Sequence, residues 1–191
     1  MSMAHHRKKQ PGIVRRQLLD QAVRVAVEEG LSSLTLDAVA RQAGVSKGGL
    51  LHHFPSKRAL LEAMCDEFLV RLERKIAKAI VRDPEPRGHF VRAYLEVMSN
   101  LKARDHAKRW AVLSVMLFAE PQLRERWQHW IEARLSEHTA TDSALTAWIV
   151  RLAADGLWLS DLVEGKPIRS DQSSDMRAAI LDELKAMTYR I

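Results

Sequence analysis

The stretch from residue 35 to residue 54 reads TLDAVARQAGVSKGGLLHHF. Its apolar residues recur at three- and four-residue intervals, which predicts two short helices joined by a turn that begins at Gly44. Ala40 is the small residue that two crossing helices need where they touch, and Gly44 can adopt a positive φ without steric cost. We therefore expect a helix-turn-helix in which Thr35 caps the first helix and Ser46 caps the second.

The same helical periodicity continues along almost the whole chain, and no segment alternates with period two for long enough to make a strand. The pattern predicts an all-α fold of about nine helices, near 13–29, 36–43, 47–53, 56–82, 87–103, 107–119, 121–139, 143–164 and 174–188. Three regions follow from these boundaries. They are a basic flexible arm at 1–12, a helix-turn-helix domain at 13–55, and a larger helical domain at 56–191 whose first helix, 56–82, connects the two.

The net charge of +6 lies entirely in the first third of the chain. Residues 1–60 hold ten Lys or Arg against four Asp or Glu, whereas residues 61–191 hold twenty of each. Positive charge concentrated in a short segment is typical of a protein that binds a polyanion, most commonly nucleic acid. A solvated basic tail is the alternative explanation, but the helix-turn-helix pattern that follows favours DNA.

Composition excludes several classes of protein. No stretch approaches the roughly 20 apolar residues of a membrane span, and the first ten residues, MSMAHHRKKQ, lack the apolar core of a secretory signal. The single cysteine, Cys65, excludes a disulfide framework within the chain and a four-cysteine zinc site. We expect a cytoplasmic protein without a membrane partner.

The sequence also lacks the motifs of common enzymes. It has no Walker-type loop and no Gly-x-Gly-x-x-Gly, and Cys65 has no catalytic motif around it. Glu125, His129 and Glu132 could share one helix face at metal-ligand spacing, but such clusters are common on solvated faces. We therefore expect no enzymatic activity, no cofactor and no metal.

Residues 34–64, LTLDAVARQAGVSKGGLLHHFPSKRALLEAM, resemble the N-terminal domain of the TetR family of bacterial transcriptional regulators. The most specific part is Gly-Val-Ser-Lys-Gly at 44–48 followed by Phe-Pro-Ser-Lys at 54–57. The resemblance is close over residues 13–64. Beyond them it rests on helix count, chain length and the pattern of a divergent C-terminal domain.

The resemblance implies particular contacts with double-stranded DNA. A hydroxyl near the start of the second helix and a lysine at the start of the fourth hold DNA phosphates in the family, which implies these roles for Thr35 and Lys57. The turn and third helix contact the groove, which implies contacts from Ser46, Lys47, Gly48, Gly49, His52 and His53. This chain departs from the family at Gly49, Leu51 and His53, where Thr, Tyr and Tyr are common. A phosphate-binding tyrosine hydroxyl is therefore missing at position 51.

Two adjacent glycines in a two-turn helix need an explanation, because each costs about 1 kcal/mol relative to alanine. Close approach of the backbone to DNA would offset the cost at Gly48 and Gly49. The alternative is that the pair only loosens the first turn of the helix.

The larger domain contains all five tryptophans, between residues 110 and 158. Aromatic helical domains form apolar pockets readily, and the resemblance implies a small-molecule effector bound there. The residues that we expect to line such a pocket are Trp110, Met116, Phe118, Trp127 and Asp155. Simple core packing is the alternative for each aromatic residue. For Asp155, the alternative is an ion pair with Arg151, one turn earlier.

Helix 143–164 is apolar on almost every side, which predicts that it is buried on more than one face. Gly156 would let two helices approach closely, and the resemblance implies a homodimer built from the last two helices. We expect Trp148, Gly156 and Trp158 at that interface. The implied function is a repressor released from a near-palindromic operator by a small molecule. A DNA-binding protein without an effector, an interaction module, and an all-α enzyme or metal-binding protein are the alternatives.

Overall fold

The computed structural model describes residues 11–100, 106–164 and 171–191. This part of the chain forms ten α-helices and no strand, which confirms the all-α fold class. The helices are α1 Pro11–Glu28, α2 Leu36–Gln42, α3 Lys47–His53, α4 Lys57–Arg82, α5 His89–Ser99, α6 His106–Ala119, α7 Pro121–Glu137, α8 Thr139–Asp142, α9 Leu145–Glu164 and α10 Asp171–Thr188. None of these helices is both long enough and apolar enough to cross a membrane.

The observed helices follow the predicted ones closely, with three differences. The one-turn helix α8 occupies a segment that we expected to be partly connection, so the count is ten where the sequence predicted about nine. The helix predicted near 87–103 ends at Ser99 and is capped by Asn100, and the remainder of that prediction lies outside the described residues. At the N-terminus, Pro11 and Gly12 already belong to α1, and the rest of the predicted basic arm is not described.

The chain divides into two compact units, residues 1–66 and residues 67–191. The first unit thus extends beyond the predicted limit at residue 55 and includes the first turns of α4. The reason is visible in the burial of that segment, since Leu60, Leu61 and Met64 are all almost completely inaccessible to solvent. Helix α4 itself continues past the division into the second unit.

In the second unit, α5 is the central helix. It packs against α8, α9 and α10, and eight of its eleven residues are buried. Gly88 precedes it with a φ of 70°, and a Cβ atom there would lie only 2.8 Å from the Thr188 carbonyl oxygen. Buried Arg92 adds a 2.6 Å ion pair with Asp83 and donates a hydrogen bond to that same carbonyl. The end of α10 is therefore held against the start of α5.

Candidate functional site

The first unit contains the helix-turn-helix that the sequence predicts. Thr35 caps α2 by accepting a hydrogen bond from the Ala38 amide at 3.1 Å. Gly44 turns the chain with a φ of 66°, and Ser46 then caps α3 by accepting from the Gly49 amide at 3.1 Å. Both predicted caps and the predicted glycine turn are confirmed.

Helix α3 has one buried side and one exposed side. Leu50 is fully buried, as is Phe54 directly after the helix, and these two residues anchor α3 to the core of the unit. Seven of the eight residues predicted to contact DNA are exposed, and His53 is half-buried; the exposed ones are Thr35, Ser46, Lys47, Gly48, Gly49, His52 and Lys57. The predicted contact residues are therefore accessible to a large partner.

The capping role of two hydroxyls is compatible with a DNA contact. Thr35 and Ser46 each use the side-chain oxygen to accept from a backbone amide. A hydroxyl can accept and donate at once, so its own hydrogen stays free to be donated to a phosphate oxygen. The cap also fixes the position of the hydroxyl before any DNA arrives.

Lys47 has an acidic partner in the free protein. Its ammonium nitrogen lies 3.0 Å from a carboxylate oxygen of Asp37, and both side chains are more than half exposed. An exposed ion pair of this kind contributes little to stability. Lys47 could therefore leave Asp37 for a group on DNA with little loss of free energy.

The two adjacent glycines differ in the space around them. A Cβ atom at Gly48 would meet nothing within 4 Å, whereas one at Gly49 would lie 3.3 Å from the capping hydroxyl of Ser46. Neither residue is among the glycines with positive φ. The fold of the unit therefore does not require glycine at position 48.

The second unit contains a continuous aromatic cluster. The ring centroids of Trp110 and Trp158 are 5.8 Å apart, those of Trp158 and Trp127 are 5.7 Å apart, and those of Trp127 and Trp130 are 5.4 Å apart. Phe68 packs on Trp110 at 4.0 Å. We call these five residues the aromatic cluster.

Three of the predicted pocket residues, Trp110, Trp127 and Phe118, lie in or beside this cluster. Trp110 and Met116 are buried, Trp127 is half-buried, and Phe118 is 54% exposed and stacks on Trp158. Trp158, which we predicted at the dimer interface, also lies in the cluster and donates a 3.0 Å hydrogen bond to the Ser114 hydroxyl. Its assignment to the interface, like the pocket itself, stays a prediction.

The second unit also has two grooves that the aromatic cluster does not line. One, of about 630 Å³, is lined by the second half of α4 together with α5, and the other, of about 450 Å³, is lined by α4, α5 and α10. Neither groove is lined by any of the five predicted pocket residues.

Asp155 is held by two partners. Arg151 donates to one of its carboxylate oxygens at 2.8 Å, which is the ion pair given above as the alternative to a pocket position, and the Tyr94 hydroxyl donates to the other at 2.5 Å. Burial raises the pKa of Asp155, and the Tyr94 hydrogen bond and the Arg151 charge lower it without cancelling that rise. Burial and the Asp155 charge raise the pKa of Tyr94 well above its ordinary value. Tyr94 lies 61 positions from Asp155, so sequence spacing could not identify it as a partner.

Helices α9 and α10 carry an exposed apolar face, which we call the α9–α10 face. The exposed residues of α9 recur at three-, four- and seven-residue steps, and they are Leu145, Trp148, Ile149, Leu152, Gly156, Leu159 and Val163. On α10 the exposed apolar residues of this face are Met176 and Ile180. Gly156 lies in the middle of the α9 stripe with nothing within 4 Å of the position that a Cβ atom would take. Exposed apolar residues that recur along a helix in this way favour a protein–protein contact.

Comparison with known families decides the identity of the chain. A family model described as "Bacterial regulatory proteins, tetR family" matches residues 18–64, which hold the helix-turn-helix. A second, described as "Tetracyclin repressor-like, C-terminal domain", matches residues 88–189, more than half of the 191 residues. The chain belongs to the TetR family. This TetR-family chain is therefore a DNA-binding transcriptional regulator, and the resemblance seen in residues 34–64 is confirmed.

Individual relatives agree with the family assignment. The regulator is 32% identical to the HTH-type transcriptional regulator BetI of Paraburkholderia xenovorans, over 87% of this chain and 90% of that protein. It is 25% identical to the HTH-type transcriptional repressor KstR2 of Mycolicibacterium smegmatis, over 94% of each chain. The fold also matches the crystal structure of the multidrug binding protein EbrR complexed with malachite green, with a TM-score of 0.68, 22% identity, and coverage of 91% and 97% of the two chains.

Proposed function

We propose that this regulator is a homodimeric repressor that binds a near-palindromic operator and leaves it when a small molecule binds in the second unit. The DNA-binding part of the proposal rests on the exposure of α3. The predicted contact residues of this capped helix are accessible, whereas Leu50 and Phe54 are buried and anchor it to the core. Recognition helices of helix-turn-helix proteins present their N-terminal residues to base edges in the major groove.

The contact residues divide into two roles in this proposal. Thr35 and Lys57 hold phosphates, because both lie at helix starts, where hydroxyl, ammonium and free amide groups favour an anion. Lys47 and His52 read bases, because both are exposed on α3. Phosphate contacts set the affinity, and only base contacts discriminate between sequences.

The α9–α10 face supports the dimer. A single helix-turn-helix offers too few base contacts for useful specificity, and a two-fold dimer doubles them. The face is apolar and exposed in the protomer, and Gly156 at its centre leaves room for a close helix crossing. We assign the α9–α10 face to the partner subunit.

The aromatic cluster supports a flat, largely apolar effector. The indole N–H groups of Trp110 and Trp130 are buried and have no hydrogen-bond partner within the described part of the chain. An unsatisfied buried donor costs about 1–3 kcal/mol, which a ligand with a hydrogen-bond acceptor would recover. EbrR, of the same fold, was crystallised with the aromatic dye malachite green. Helix α4 runs from one compact unit into the other, so a ligand that shifts it would act on DNA affinity.

A DNA-binding assay with salt titration tests the proposal. Lys57→Ala should weaken binding several-fold and lower the slope of log K against log salt by about 0.9, because one phosphate contact is lost. Lys75→Ala is the matched control, since Lys75 is an exposed lysine on the same helix, roughly five turns further on. An unchanged slope for Lys57→Ala would remove Lys57 from the interface.

Thr35 needs a second variant, because its hydroxyl also caps α2. Thr35→Ala should weaken DNA binding, but it also loses a cap that contributes about 0.5–2 kcal/mol to stability. Thr35→Ser keeps both the cap and the donor, so it should retain binding. If Thr35→Ser bound as weakly as Thr35→Ala, the phosphate contact assigned to the hydroxyl would be wrong.

A further inference from the structure

Three side chains capable of binding a metal meet at one corner of the second unit, apart from the residues discussed above. His89 is the first residue of α5, His138 is the cap residue between α7 and α8, and Asp142 is the last residue of α8. One potential ligand atom from each lies within 4.8 Å of the other two. We call these three residues the His–His–Asp cluster.

The spacing of the two imidazoles suits one shared ion. The Nε2 atom of His89 and the Nδ1 atom of His138 are 3.1 Å apart and form a hydrogen bond, whose proton an ion bound by both nitrogens would displace. Nitrogens that are each about 2.0–2.1 Å from a single ion subtend an angle of about 95–100° at that separation, which lies between the octahedral and tetrahedral values. One carboxylate oxygen of Asp142 lies within 4.8 Å of both nitrogens, which places it to act as a third ligand to the same ion.

Neighbouring groups orient two of the three ligands. The ring of His138 stacks on buried Phe90, with centroids 4.8 Å apart and planes 10° from parallel. Asp142 accepts hydrogen bonds from the Val91 amide at 2.9 Å and from the Thr141 hydroxyl at 2.6 Å. Outer contacts of this kind hold metal ligands in the orientation that binding requires.

The burial of Asp142 is a second observation that points to a cation. Asp142 is only 4% exposed. The two groups that donate hydrogen bonds to its carboxylate, the Val91 amide and the Thr141 hydroxyl, are both neutral. The basic groups placed nearest to it are the His89 and His138 imidazoles, each with a nitrogen within 4.8 Å of one carboxylate oxygen. A buried carboxylate without a counter-charge is costly, and a divalent cation between the two histidines would provide that charge.

We propose that the His–His–Asp cluster binds one divalent transition-metal ion of the Zn²⁺, Co²⁺ and Ni²⁺ type. Two imidazoles and one carboxylate match the preference of these ions, whereas Mg²⁺ and Ca²⁺ take oxygen ligands. Three protein ligands leave a coordination position open for water or an exchangeable group. His89 and His138 are only half-buried, so the ion can enter from solvent. Once bound, it ties the start of α5 to the connection between α7 and α8.

The experiment uses the untagged full chain, stripped with a chelator and desalted. Co²⁺ is added while visible absorption is recorded, and Zn²⁺ is then added as a competitor. We expect one Co²⁺ bound at this cluster per chain and its displacement by Zn²⁺. Zn²⁺ at about 100 times its Kd should also raise the Tm by about 5 °C or more, because the ion binds the folded state.

Two variants and one control locate the ion. His89→Gln and Asp142→Asn should each weaken Co²⁺ binding at least tenfold and abolish the Zn²⁺-dependent rise in Tm. Asp142→Asn keeps an oxygen that can accept from the Val91 amide, so circular dichroism should report an intact fold. His129→Gln is the control, because His129 is an exposed histidine on α7, outside the cluster.

Unchanged Co²⁺ affinity in both His89→Gln and Asp142→Asn would overturn the proposal. An equal loss in His129→Gln would overturn it as well, because the ion would then belong to the exposed face of α7. So would a chain that binds no Co²⁺ at all.

Discussion

Replacing Gly48 by alanine separates what α3 needs for folding from what it needs for DNA. The added methyl group meets nothing within 4 Å in the protein. Alanine is favoured over glycine in a helix by up to about 1 kcal/mol, and Gly48 is only the second residue of α3. We therefore expect Gly48→Ala to stabilise the first unit by roughly 0.5 kcal/mol, toward the low end of that range.

DNA affinity should change in the opposite direction. If the α3 backbone approaches DNA at Gly48, a methyl group there prevents the approach and disturbs a base contact worth about 1–3 kcal/mol. At 1.4 kcal/mol per factor of ten, binding should weaken about tenfold or more. Urea unfolding gives the change in stability, and fluorescence anisotropy with DNA selected by the unmodified chain gives the change in affinity.

Gly12→Ala is a matched control for this experiment. Gly12 is the second residue of α1, it is exposed, and a methyl group there also meets nothing within 4 Å. It should show a similar small gain in stability with unchanged DNA affinity. A Gly48→Ala protein that is more stable and binds DNA as tightly as the unmodified chain would refute the backbone approach.

Three further predictions concern the second unit. Gly156→Leu should raise the dimer dissociation constant without destabilising the protomer, because the side chain enters open space in the protomer; light scattering across a dilution series measures this, and unchanged dissociation would remove Gly156 from the interface. The pKa of Asp155 in the folded protein lies above its ordinary value of 3.8. The protonated side chain therefore contributes to the free energy of unfolding below pH 3.8, and this contribution is lost as the pH rises through the pKa of the folded state. The unfolding free energy of the unmodified chain minus that of Asp155→Asn should therefore fall from pH 4 to pH 7 in urea titrations, and a rise would contradict the burial of that carboxyl. Flat aromatic cations and neutral dyes should quench tryptophan fluorescence and release DNA over the same concentration range, whereas quenching without release would favour a regulator that no small molecule controls.

The sequence predicts the first unit well because its information is local. Thr35, Gly44 and Ser46 act on residues within four positions of themselves, as caps or as a turn. Helical periodicity similarly located almost every helix, since an amphipathic face repeats along the chain itself. The short α8 was missed because one turn is too brief to show a period.

The second unit is harder to predict because its contacts join distant positions. Tyr94 meets Asp155 across 61 positions, and His89 meets His138 across 49. No spacing rule relates such pairs; only the packing of α5 against its neighbours brings them together. Trp158 is a further example. Its position on an apolar helix led us to expect it at the dimer interface, whereas its ring packs against those of Trp110 and Trp127.

Selection of binding sites from randomised duplex DNA with the full chain measures whether a two-fold dimer reads one DNA sequence through α3. We expect enrichment of one near-palindrome, with half-sites about one helical turn apart or a multiple of that. Lys57→Ala should return the same consensus and Lys47→Ala an altered one, because phosphate contacts carry no sequence information. Recovery of no common sequence by the unmodified chain, or of a site without two-fold symmetry, would show that the protein does not bind DNA as a dimeric sequence-specific regulator.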